Sequence, residues 1–95
     1  MEKNIIYVDV QFRCFLLERL VQELTFLDIK TAVATDWGKP ISDKRLRDIL
    51  QIFADNRLIK KIRMEQRDAY GYYLSFVITR KGLKKLKYYK NKLRS

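Results

Sequence analysis

Lys44, Arg45, Arg47, Asp48 and Gln51 are the residues whose types and spacing offer chemistry, and that chemistry is recognition rather than catalysis. Arg and Lys donate to guanine or to phosphate oxygens, Gln pairs with adenine, and Asp accepts from a cytosine amine. At about 100° per helical residue, Lys44, Arg47, Asp48, Gln51 and Asp55 fall opposite Leu46, Ile49, Leu50 and Phe53, with Arg45 on the flank. An ordinary solvated helix face has the same look, and Asp48 repels a nearby phosphate, so the charge distribution carries weight. Residues 43–95 hold 16 Lys/Arg against 5 Asp/Glu, and residues 1–42 hold 5 against 6. A near-neutral packing half joined to a strongly basic half is the electrostatic footprint of a small nucleic-acid-binding domain.

Other chemistries lack their residues. The chain has one cysteine, Cys14, and no histidine, which leaves no Cys/His zinc site and no intrachain disulfide. There is no glycine-rich phosphate loop, and the 11 carboxylates are scattered rather than paired, so no enzyme, metal or cofactor is expected. The longest apolar zone, Phe12 to Leu27, is broken by Arg13, Glu18, Arg19 and Glu23 and does not suit a bilayer. No secretory leader pattern is visible, and a cytoplasmic protein is expected. Ninety-five residues, 47% of them apolar, suit one compact domain over 1–95, and dimerisation would add apolar burial.

The elements that position these residues follow from periodicity and caps. Residues 1–8 read as a short strand or an extended arm. Apolar spacing predicts a first helix over about 9–27, with an arc widened by Phe12, Cys14 and Leu17. An arc that broad predicts burial on two sides, against the chain's own core and against a partner. Asp28 is the expected N-cap of a second helix, Ile29 to about Trp37, which Gly38-Lys39-Pro40 breaks. Ser42 caps a third helix that ends near Asn56, a residue tolerant of left-handed backbone. Strands follow over 58–65 and 72–78, with Leu58, Ile62 and Met64 on one face of the first and Leu74, Phe76 and Ile78 inward on the second. A polar connection, 66–71, joins them. Thr79 caps a last helix to about Leu93.

This order resembles the winged helix-turn-helix superfamily, an α+β fold with a three-helix core, a two-stranded β-hairpin wing and a C-terminal helix. Small MarR-like and PadR-like regulators, and the short winged-helix proteins of archaea and their viruses, are most similar. Two pieces carry the resemblance. Ile41-Ser42, Leu46, Leu50, Phe53 and Leu58-Ile59 resemble a recognition helix leading into the wing. Phe76 to Gly82 resembles the Leu-Thr-x-x-Gly stop that ends it. The usual glycine before the Leu-Ile pair is Arg57 here, so either Asn56 takes the left-handed conformation or Arg57 is strained. The wing-tip order of relatives, Asp-x-Arg, is inverted to Arg67-Asp68.

The resemblance implies a homodimeric, sequence-specific transcription regulator with the third helix in the major groove of double-stranded DNA. Its contact set is Lys39, Ser42, Lys44, Arg45, Arg47, Asp48 and Gln51, with Arg63, Arg67 and Tyr70 on the wing and Lys84 behind it. The wing reads equally as a solvated hairpin, and Tyr70, Tyr72 and Tyr73 as cross-strand packing or base stacking. The last helix reads as a basic tail, a phosphate contact or part of a dimer seam; its apolar face is thin for a membrane surface. The expected two-fold interface is Phe12, Cys14, Phe15, Leu16, Leu86, Tyr89 and Leu93, with Cys14 either simply buried or bridged to its copy. Alternative functions are a protein-docking module in a transcription or replication assembly, or a non-specific nucleic-acid coat. A small-molecule effector is left open.

Overall fold

A computed structural model describes residues 8–68 and 71–94, and their side chains outside 63–73. Helix α1 (Val10–Arg19) starts at Asp9, whose carboxylate accepts from the Gln11 amide at 2.8 Å. It stops well short of residue 27. A two-residue strand, β1 (Leu24–Thr25), intervenes, and Thr25 opens α2 (Phe26–Ala32). The Thr25 hydroxyl accepts from the Asp28 amide at 3.2 Å, and the Asp28 carboxylate accepts from the Thr25 amide at 3.3 Å. This reciprocal pair is a capping box, so Thr25 and not Asp28 is the cap. A π-helical turn (Val33–Trp37) continues α2 to Gly38, which takes φ 87° and ends it.

Helix α3 (Asp43–Asp55) begins at Ser42, whose hydroxyl accepts from the Arg45 amide at 3.2 Å. Leu46, Ile49, Leu50 and Phe53 are its buried stripe. The expected left-handed residue is resolved in favour of Arg57, at φ 61°, while Asn56 keeps φ −85°. The Arg57 amide bonds Ala54 O at 2.9 Å and the Leu58 amide bonds Phe53 O at 3.0 Å, which makes this a Schellman stop without its glycine. Buried Phe53 and Leu58 complete it.

Strands β2 (Ile59–Asp68) and β3 (Gly71–Ile78) are longer than predicted, because pairing runs out to Asp68 and Gly71. The expected 66–71 connection shrinks accordingly. The antiparallel sheet has the order β1-β3-β2, with Phe76 between Leu24 and Lys61. Phe76 is buried as expected, but Leu74 is 41% exposed. On the opposite face Ser75 is buried, and its hydroxyl donates to Glu23 at 2.8 Å.

Helix α4 (Arg80–Arg94) leaves from a tight joint. The Thr79 amide bonds Leu58 O at 3.0 Å, and the Thr79 hydroxyl, 2.6 Å from Arg57 O, accepts from the Gly82 amide at 3.0 Å. A side chain on Gly82 would land on the Leu58 carbonyl oxygen and 2.6 Å from Ile78 Cγ1, so this approach requires glycine.

Helix α4 then packs along α1 of the same chain. The Arg13 guanidinium, buried, lies over the Tyr89 ring at 5.4 Å, and its Nε donates to Val8 O at 2.6 Å. Lys90 pairs with Glu18 at 2.6 Å. Phe12, Cys14, Leu16, Leu86 and Tyr89, expected at a two-fold interface, are buried within one chain, Phe12 against Trp37 and the others in the core that α1 and α4 share. Phe15 is half-buried against Phe12 and Trp37, and only Leu93 is well exposed. Burial, then the Glu18 charge, pushes the Cys14 thiol up in pKa, and the thiol is buried within the chain.

Candidate nucleic-acid interface

The outward side of α3 presents the predicted residues in two groups. Lys44 and Asp48 project into solvent, with side chains 90% and 65% exposed and loosely paired at 4.0 Å. Arg45 is exposed beside them. Arg47 and Gln51 are held by the chain itself. The Arg47 guanidinium lies over the Phe26 ring at 5.4 Å. The Gln51 amide donates to Asp55 at 2.7 Å and accepts from Lys61 of β2. Gln51 therefore braces α3 against the hairpin, with one amide N–H and its oxygen bonded within the chain.

The approach to α3 is fixed at its N-terminus. Lys30 of α2 pairs with Asp43, tying the two helices across the Gly38–Pro40 turn. The hydrogen bond from Lys30, with its charge and that of Arg47, holds the Asp43 carboxyl below the usual carboxylate range. Lys39 and Ser42 are exposed at this turn. With Arg45 they edge an apolar cleft of about 350 Å³ floored by Phe12 and Trp37.

The remaining predicted contacts are elsewhere. Arg63 and Arg67 belong to β2, but their side chains, like the whole of Tyr70, lie outside the described residues. Lys84 is exposed on α4, an element packed on α1 rather than α3. Lys61 was not predicted, although strand alternation sets it opposite Ile62 and the register places it beside Phe76. Among the described residues no cluster of metal-ligating side chains occurs, and no helix is long and apolar enough to cross a membrane.

The same architecture occurs in solved structures. A PadR family transcriptional regulator from Eggerthella lenta DSM 2243 matches with a TM-score of 0.77 and 15% identity, over 88% of this chain and 72% of that one. The chain has a winged-helix fold. A PadR-like transcriptional regulator from Bacillus cereus strain ATCC 14579 matches with a TM-score of 0.72 and 18% identity, over 85% of this chain and 79% of that one. No protein-family model and no curated protein matches the sequence. In winged-helix terms, α2 and α3 form the helix-turn-helix, β2 and β3 the wing, and Thr79–Gly82 the wing root.

Proposed function

We propose that the chain is a transcriptional regulator that binds double-stranded DNA in a sequence-specific manner, as a homodimer with α3 in the major groove. The observation that carries this reading is the projection into solvent of Lys44, Arg45 and Asp48 from the first turns of a helix held by the Ser42 cap and the Lys30–Asp43 pair. A major groove admits an α-helix, and this face offers both donors and an acceptor to base edges. Both similar structures are named as transcriptional regulators. Lys39 and Ser42 suit a phosphate beside the helix start, Arg63, Arg67 and Tyr70 the flanking backbone or minor groove, and Lys84 a phosphate further out. The two-fold contact would draw on Phe15 and Leu93 with the exposed Leu83 and Tyr88 beside them.

The test is selection from random duplex DNA at physiological salt, read by sequencing. A palindrome with half-sites ~34 Å apart is expected. A single half-site would remove the dimer and keep the regulator. Recovery of no motif would sink sequence-specific recognition. If ~6–10 phosphates are neutralised, affinity falls by ~10³–10⁵ between 50 and 200 mM salt.

A further inference from the structure

Beside the reading face lies a groove that DNA does not explain. It encloses about 520 Å³ between the start of α2, α3 and the sheet. Phe26, Leu27, Leu50, Leu74 and Phe76 line it, and Leu27 and Leu74 stay 69% and 41% exposed at its mouth. Arg47 and Lys61 stand on its rim, and none of its lining residues is acidic. Arg47 meets the Phe26 ring and acts on Asp43 only through its charge, and Lys61 meets a neutral amide. Exposed leucines over an aromatic floor mark an interaction site rather than a solvated surface. A duplex offers thymine methyls as its only apolar base groups in the major groove, and phosphates need no apolar floor.

We propose that this groove docks an acidic amphipathic segment of a protein partner. Its apolar side chains would enter between Leu27, Leu74 and Phe76, and its carboxylates would meet Arg47 and Lys61. Basic rims around apolar floors select such segments by charge and by anchor spacing together. Arg47 belongs both to this rim and to the outward side of α3, so an occupied groove takes Arg47 away from DNA. The partner is therefore a release factor for the regulator. That second statement rests on the DNA-binding reading; the docking site itself does not.

The experiment is selection of a displayed library of random short peptides against the full chain without DNA. Peptides that combine bulky apolar residues with Asp or Glu are expected. Leu27→Asp and Arg47→Ala should each weaken them by about tenfold or more, with Lys84→Ala neutral. Leu27 is the second residue of α2, where an added carboxylate suits the helix dipole, so Leu27→Asp should fold; Leu74→Asp serves as a second variant. Recovery of no peptide, or of acidic peptides that ignore Leu27→Asp and fade with Lys84→Ala, would overturn the site. The best peptide is then titrated into the chain bound to its selected duplex. Release of the duplex is expected, and a ternary complex would remove the release role alone. Failure of the duplex selection would strike the DNA reading and leave the peptide result intact.

Discussion

Helices α3 and α4 are both amphipathic and both basic to the eye, yet they differ in kind. Helix α3 carries three cations, Lys44, Arg45 and Arg47, and three carboxylates, Asp43, Asp48 and Asp55. Its net charge is nil, and Asp43, Arg47 and Gln51 each have a defined neighbour. Helix α4 carries eight Lys and Arg residues and no carboxylate. Base readout requires donors and acceptors in a fixed pattern, whereas adhesion to phosphate requires only density of positive charge. In the proposed reading these two tasks fall to two different helices, α3 for the bases and α4 for the phosphates.

The sharpest way to break this comparison is to dislodge α4. Gly82→Ala forces a Cβ into the Leu58 carbonyl, and a loss of about 3 kcal/mol or more is expected in denaturant unfolding. A stability within error of the parent would show that the joint yields easily. Next come the contacts. Arg47→Ala should cost about 1–3 kcal/mol at one base position and blur preference there, read by repeating the duplex selection. Lys84→Ala should weaken all sequences equally and lower the salt slope by about one. Equal loss of specificity from both would erase the division of labour.

A smaller effect of opposite sign is expected at the end of α3. Arg57→Gly relieves a left-handed backbone and should stabilise by about 0.5–1 kcal/mol, measured as a raised urea midpoint. The smallest concerns Asp43. Its folded pKa lies below the unfolded value, so its ionised form contributes stability above about pH 3.8, and this is lost as pH falls through the folded pKa. The pair with Lys30 is half-exposed, so the contribution is slight. Asp43→Asn should lower the midpoint at pH 6, with the gap closing as pH falls through the folded pKa of Asp43; a gap that persists in acid would assign the effect to the amide instead.

Much of this was legible because local chemistry and packing agree. Ser42 as a cap and Leu46, Ile49, Leu50 and Phe53 as a stripe specify α3 without help from the rest of the chain. The α1–α2 boundary was not, since Leu20, Leu24 and Leu27 continue the apolar spacing across a break. Its signal was the Thr25-x-x-Asp28 box, in which Asp28 is the third helical residue rather than the cap. The residues expected at a two-fold interface are a different case. Periodicity reports that Cys14, Leu16 and Tyr89 are covered, but says nothing of which chain covers them. The groove beside Arg47 was equally hidden, because Leu27 and Leu74 meet only through the tertiary fold.

The joint at the wing root also has a kinetic consequence. The Thr79 hydroxyl and the Arg57 carbonyl are 22 residues apart, and the whole hairpin lies between them. Loop closure must be complete before this contact contributes anything. A joint that spans the whole hairpin is expected to form late, after the strands have zipped. Substitutions at Thr79 or Gly82 should act mainly by accelerating unfolding, with φ-values near zero, whereas Leu50→Ala should slow folding if α3 belongs to the nucleus. The contact that sets α4 in place is then also the latch whose opening rate limits how long the native molecule lasts.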